Sequence, residues 1–248
     1  MQVSEIWRYP VKSMQGERLT SAPVGRNGIE GDRGWALFDV DSGVHLTARR
    51  QPELLFASAR LDGTGADAGV RITLPDGTET GSDHTLSAWL GRPVRLERAS
   101  GEVQGRFQTQ ADETETGEWF TWDGPDGSFH DSGKAQVSLV SEATFRSWER
   151  RRFRINLVLD EPGEIDLVGR QIRIGDAELQ VIKGIDRCVM VTRPQPAFAD
   201  DAGEGQAFER DLAVLKTVNA ELDGKLGVGA NTTTPGTLTV GDVVSSIS

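Results

Sequence analysis

Along most of this chain apolar and polar residues alternate with a period of two, the signature of strands that bury one face. Gln171 to Val181 predicts a strand, a tight Gly175-Asp176 turn and a second strand, with Ile172 and Ile174 on one face and Ala177, Leu179 and Val181 after the turn. Val70 to Leu74 followed by Pro75-Asp76-Gly77 predicts another strand and corner. Trp35 to Val40, the Asp41-Ser42-Gly43 corner and His45 to Thr47 read the same way. Thr237 to Val240, a Gly241-Asp242 turn and Val243-Val244 close the pattern.

Helical spacing is rare. Ser141 is placed to cap a helix over Glu142 to Arg150, with Phe145 and Trp148 three apart. Gln206 to Leu222 predicts the longest helix, with Phe208, Leu212, Leu215 and Val218 on one stripe and Gly224 as its stop. Thr85 to Leu90, before Gly91, is a short third. Many strands with few helices predict a mainly β fold, built as barrels or sandwiches. Between Arg98 and about Asp126 the chain turns polar, acidic and weakly periodic, which predicts a linker or long loop over 99–125 between domains at 1–98 and 126–248.

Composition narrows the chemistry. The 248 residues carry a net charge of −11, against general binding to a nucleic-acid backbone, which needs a basic footprint. With no signal-like start and no long apolar run, the expectation is a cytoplasmic protein without a membrane segment. There is one cysteine, Cys188, which excludes an internal disulfide or a cysteine-ligated iron–sulfur cluster in this chain. A lone cysteine in a strand is ordinarily a small buried hydrophobe. Against that stands Arg187, whose charge favours a thiolate if the strand ends or kinks there, since strand neighbours otherwise face opposite ways. A metal held by one cysteine needs its remaining ligands from a cofactor. The three histidines, His45, His84 and His130, are dispersed and read as turn or surface residues.

Basic residues at loop corners are more telling. Lys12 and Ser13 follow the Tyr9-Pro10 corner, and Arg33 lies between glycines in GIEGDRGW. RRRFRINLVLD concentrates arginines in an acidic protein, with Arg154 and Asn156 on one face of an incoming strand. An arginine fork suits two oxygens of one phosphate. Together these residues predict a pocket for an anionic small molecule, with one thiolate.

Eight segments in order carry a resemblance to a known family. YPVKSM, GIEGDRGWALFD, LTARRQPEL and LSAWLGRPVRL resemble an amino-terminal MOSC-N β-barrel domain; RRFRINLVLD, GRQIRIGDAEL, DRCVMVTRP and PGTLTVGDVV resemble the MOSC β-barrel domain that follows it. The resemblance implies a molybdenum cofactor (Mo-molybdopterin) between the two domains, with Cys188 as metal ligand and catalytic residue. It further implies that Lys12, Ser13, Arg33, Arg154, Asn156 and Arg187 hold the pterin and its phosphate, with Thr47 and Arg49 beside them. Where relatives often have serine before the Arg-Cys pair, this chain has Asp186. The implied activity is reduction of small N-hydroxylated compounds (amidoximes, hydroxylamines, N-hydroxylated bases) with electrons from an external ferredoxin, flavoprotein or reductase. The rival is a persulfide carrier on Cys188, or a module that binds the cofactor without turnover.

Overall fold

A computed structural model describes residues 1–63, 65–100, 106–110, 118–124, 126–131, 135–196 and 210–247. Among these the largest sheet has eight strands, in the order Ser245–Ile247, Gln171–Ile174, Ala177–Asp186, Lys225–Thr234, Val137–Ser141, Leu157–Leu159, Val3–Arg8 and Glu17–Leu19. The expected hairpin is present: Ile172 pairs with Leu179 and Ile174 with Ala177, and all four are buried. Full burial of such an aliphatic side chain contributes roughly 1.5–3 kcal/mol, which is why the alternation fixes the register. Residues at the very start of the chain join this carboxy-terminal sheet, Ile6 opposite Leu157. Ser21–Gly25 likewise pairs with Gly236–Thr239. The two halves are therefore stitched by main-chain hydrogen bonds.

The amino-terminal half builds smaller antiparallel sheets, Trp35–Asp39 with Val94–Arg98, and Ser58–Asp62 with Gly69–Thr73 and Glu79–Thr80. They enclose a second apolar cluster that includes Met14, Leu37, Leu54, Ile72 and Leu86. The helix Asp83–Leu90 covers one side and ends at Gly91, whose φ of 66° is the left-handed cap expected of that glycine.

Three expectations change. The predicted linker includes a hairpin in which Arg106–Gln110 pairs with Trp119–Asp123; alternation in RFQTQ and EWFTWD is too short to stand out against the acidic residues between. The helix after Ser141 runs only over Glu142–Phe145, and Arg150–Phe153 forms a separate 3-10 turn. Ser141 does cap the first, accepting the Thr144 N–H at 3.3 Å. The helix expected from Gln206 is observed over Leu212–Glu221, capped by Asp211; positions 206–209 lie outside the described residues.

Candidate active site between the two halves

The long strand Ala177–Asp186 slips register against Lys225–Thr234 between Gly184 and Asp186, and then ends. Such a slip bends a strand and re-aims the side chains that follow. Arg187 and Cys188 come next, ahead of the 3-10 turn Val189–Thr192. Freed from strand alternation, both line one cavity of about 530 Å³. Cys188 is exposed on its wall, so the reading of a buried core thiol is overturned. Arg187 spends its guanidinium on the chain: Nε and Nη2 donate to the Leu226 carbonyl at 3.0 and 2.7 Å, and Nη1 to that of Phe153 at 3.0 Å. It fixes the end of the strand that presents Cys188. Burial pulls this arginine down to about 10.

The opposite wall comes from the amino-terminal half. Lys12 and Ser13 follow the first strand, and Arg33 precedes the strand Trp35–Asp39. The Ser13 hydroxyl accepts the Ala48 N–H at 3.0 Å, which draws Thr47 and Arg49 to the same cavity. Lys12 is buried and donates to Asp131 at 2.5 Å and to the Phe129 carbonyl at 3.2 Å. Burial lowers its affinity for a proton, and Asp131 partly restores it. Packing pushes the Asp131 carboxyl up, but the Lys12 ammonium outweighs it and holds the group below the ordinary carboxylate range.

Arg33 and Arg154 both lie over the Tyr9 ring, 5.0 and 4.4 Å from its centroid. Arg33 donates to Asp32, and its Nη2 to the Arg154 carbonyl at 3.0 Å. Arg154 Nη1 donates to the Met14 carbonyl. Burial first, and then the like charge of Arg33, pull Arg154 down to about 10. The two cations are kept together by an aromatic face and carbonyl oxygens.

Asn156 stands apart. It is fully buried, and its Oδ1 accepts from the Ser138 N–H at 3.1 Å and the Ser138 hydroxyl at 2.8 Å, while Nδ2 donates to the Trp7 carbonyl at 3.2 Å. It pins the strands beneath the cavity and does not line it. The expected shared face with Arg154 fails because Arg154 precedes the strand Leu157–Leu159 in a left-handed conformation, φ 51° and ψ 46°.

Two features single the cavity out as the candidate site. First, among the described residues five non-glycine residues have positive φ, and three of them, Ser13, Arg33 and Arg154, line it. Such backbone costs of order 1–3 kcal/mol per residue and persists only where its surroundings enforce it. Second, among the described residues eight basic side chains line it against two carboxylates, Asp131 and Asp186, in a chain of net charge −11. A cationic recess in an acidic protein concentrates anions. Within it the Thr47 hydroxyl oxygen and Arg154 Nη2 are buried without a hydrogen-bond partner. No three His, Cys, Asp or Glu side chains of the described residues cluster as a metal cage.

His130 also lines the cavity, though nothing in the sequence singles it out. Its side chain is only 12% exposed, contrary to the expectation of a turn or surface residue. His45 is buried too, against Phe38 and Phe129, while His84 is exposed as expected. No periodicity marks the segment Ser128 to Asp131. It reaches the cavity through a tertiary bond, the Phe129 N–H to the Arg33 carbonyl at 2.8 Å.

Comparison with known proteins accounts for both halves. The model of the MOSC N-terminal beta barrel domain matches residues 1–122, and that of the MOSC domain matches residues 126–245. No curated protein matches the chain. Among solved structures, the YuaD protein from Bacillus subtilis is 11% identical with a TM-score of 0.42, the match covering 98% of this chain and 93% of that one. YiiM from Geobacillus stearothermophilus is 14% identical with a TM-score of 0.35, covering 59% and 73%. MOSC domains are in general associated with molybdenum-cofactor binding. With its two domains matched in order and nearly end to end, this chain belongs to the MOSC family and carries the N-terminal β-barrel domain ahead of the MOSC domain.

Proposed function

We propose that this protein binds the molybdenum cofactor in the cavity between its halves and reduces small N-hydroxylated compounds such as amidoximes, hydroxylamines or N-hydroxylated bases. The observation that carries the reading is the convergence in one cavity of an exposed thiol, Cys188, with buried cations whose Arg154 Nη2 and neighbouring Thr47 hydroxyl lack partners. These donors suit the phosphate and heteroatoms of a pterin, and a single thiolate suits a metal that brings its other ligands with it. The lining therefore fits the group.

In this reading Cys188 holds the metal, and Arg33, Arg154 and Lys12 hold the anionic end of the cofactor. Arg187 fixes the turn that presents the thiol, and Ser13 fixes the loop that carries Thr47 and Arg49. Asn156 is a structural residue beneath them. When bound, the cofactor supplies two-electron oxygen-atom chemistry. Removing oxygen from an N–OH group consumes two electrons and two protons and releases water. The electrons come from a separate ferredoxin, flavoprotein or reductase, because one cysteine cannot hold an iron–sulfur cluster. Among the described residues no helix is long and apolar enough to cross a membrane; we propose a cytoplasmic location.

The test is anaerobic reduction of benzamidoxime to benzamidine by cofactor-loaded protein with reduced methyl viologen as donor. Turnover by wild type that Cys188→Ala abolishes supports the reading. Absence of turnover, together with cyanide-releasable sulfur on Cys188 in metal-free protein, overturns it for the persulfide carrier, which an exposed thiol also permits.

A further inference from the structure

The cavity holds a titratable group to which the proposed chemistry gives no role. Both ring nitrogens of His130 are buried without a hydrogen-bond partner. Buried polar atoms in native proteins are nearly always paired, so an imidazole with neither nitrogen satisfied calls for a missing partner. The groups facing it come from three elements. Asp32 and Arg33 lie on the turn before Trp35–Asp39, with Asp32 Oδ2 3.9 Å from His130 Nε2. Lys12 follows the first strand, and Asp131 adjoins His130 in sequence.

None of these completes it. The Asp32 carboxylate is occupied, with Oδ1 accepting the Tyr9 N–H at 2.7 Å and Oδ2 accepting from Arg33. Asp131 is engaged by Lys12 at 2.5 Å. Burial, and then the charge of Arg33, hold His130 down to about 4. It is therefore a neutral imidazole at neutral pH, within the field of Arg33 and Lys12 and with a free N–H. An anion seated on Lys12 and Arg33 would cancel the part of the depression that comes from their charge, would favour the imidazolium by its own charge, and would accept its hydrogen bond.

We propose that His130 is a ligand-contact residue that takes up a proton when a phosphate-class dianion enters the cavity, so that anion binding and protonation are coupled at this site. The inference rests on the anion-binding part of the reading above, not on molybdenum or on the substrate. By reciprocity, each unit by which the anion raises the His130 midpoint equals about a tenfold gain in anion affinity on protonating it. Proton uptake at the anion-binding end would also favour tight retention of a phosphate-bearing ligand as pH falls.

The test uses the cofactor-free 248-residue chain and inorganic sulfate, a dianion that carries no titrating proton near neutrality. The chain has three histidines, so carbon–proton NMR of their Cε1 positions follows each separately, assigned with His84→Gln and His45→Gln. The expected result is a His130 midpoint at least one unit higher with saturating sulfate, with His84 unmoved. Calorimetry should show sulfate affinity rising as pH falls through that window in wild type, and losing that dependence in His130→Gln. Sulfate binding that leaves the His130 midpoint in place would overturn the coupling while leaving the anion site standing. Absence of sulfate binding would overturn both. Because the midpoint is read on wild type, misfolding of His130→Gln would not decide the matter.

Discussion

Arg154→Gly separates binding from stability most sharply. In the left-handed region arginine is strained where glycine is not, a difference of roughly 1–2 kcal/mol. The guanidinium sits in surroundings that pull it down to about 10, a penalty on the charged form of roughly 3 kcal/mol, or about 2 after discounting its partial exposure. Removing the side chain relieves both. It also forfeits a charged hydrogen bond to the Met14 carbonyl, roughly 1.5–3 kcal/mol, and the contact with Tyr9, about 1 kcal/mol. Glycine adds about 0.5–1 kcal/mol of backbone freedom to be lost on folding. The Arg154 carbonyl, which accepts from Arg33, is retained. Gains and losses match, so urea unfolding should place Arg154→Gly within about 1 kcal/mol of wild type. Loss of a charged donor to the ligand is worth roughly 1.5–3 kcal/mol, so anion affinity by calorimetry should fall about ten- to a hundredfold. Arg146→Gly is the control. That residue has φ 55° and ψ −126°, pairs with Glu221 on the surface and does not line the cavity; stability should rise and anion binding should not change. A stability loss above about 3 kcal/mol in Arg154→Gly would make the arginine a strut and refute the argument. So would unchanged anion affinity.

Other expectations follow from the same geometry. Cys188→Ala should leave unfolding free energy within about 0.5 kcal/mol of wild type in metal-free protein, because the side chain is exposed; a larger loss would mean that it packs. Asn156→Ala should cost about 2–4 kcal/mol, three hydrogen bonds plus the unpaired Ser138 and Trp7 groups, with anion affinity of the folded fraction unchanged; a selective loss of affinity would restore it as a ligand contact. In ligand-free protein the His130 imidazole titrates at about 4, below its ordinary 6.5. The unfolded chain then binds a proton that the folded one refuses, so stability should fall as pH drops from about 6.5 to about 4, by roughly 2–3 kcal/mol in all. His130→Gln should flatten that part of the profile, and an identical profile would place the imidazole in solvent.

What could be read from the sequence was whatever short-range pattern dictates. Alternation over Gln171 to Val181 gave the hairpin and its register, because a one-residue slip would expose Ile172 and Ile174. Loop corners gave Lys12, Ser13 and Arg33, and the cavity gathers them with Thr47, Arg49, Arg154, Arg187 and Cys188. Asn156 and Arg154 are two residues apart, and only the backbone conformation at Arg154 decides that one reaches the cavity while the other is sealed below it. His130 was illegible for a related reason. Its environment is made by Lys12, Asp32 and Arg33, about a hundred residues earlier in the chain, and no local pattern carries that contact. The hairpin over Arg106–Gln110 and Trp119–Asp123 was masked by the acidic stretch that joins its strands.

The central claim is that this cavity holds the molybdenum cofactor through Cys188. Its most direct test is the molybdenum and pterin content of the wild-type chain and of Cys188→Ala, both purified from a host that makes the cofactor. The account predicts about one molybdenum and one pterin per wild-type chain, with the metal lost from Cys188→Ala. Wild-type protein from that host with neither metal nor pterin would contradict it, as would a Cys188→Ala variant that keeps its molybdenum.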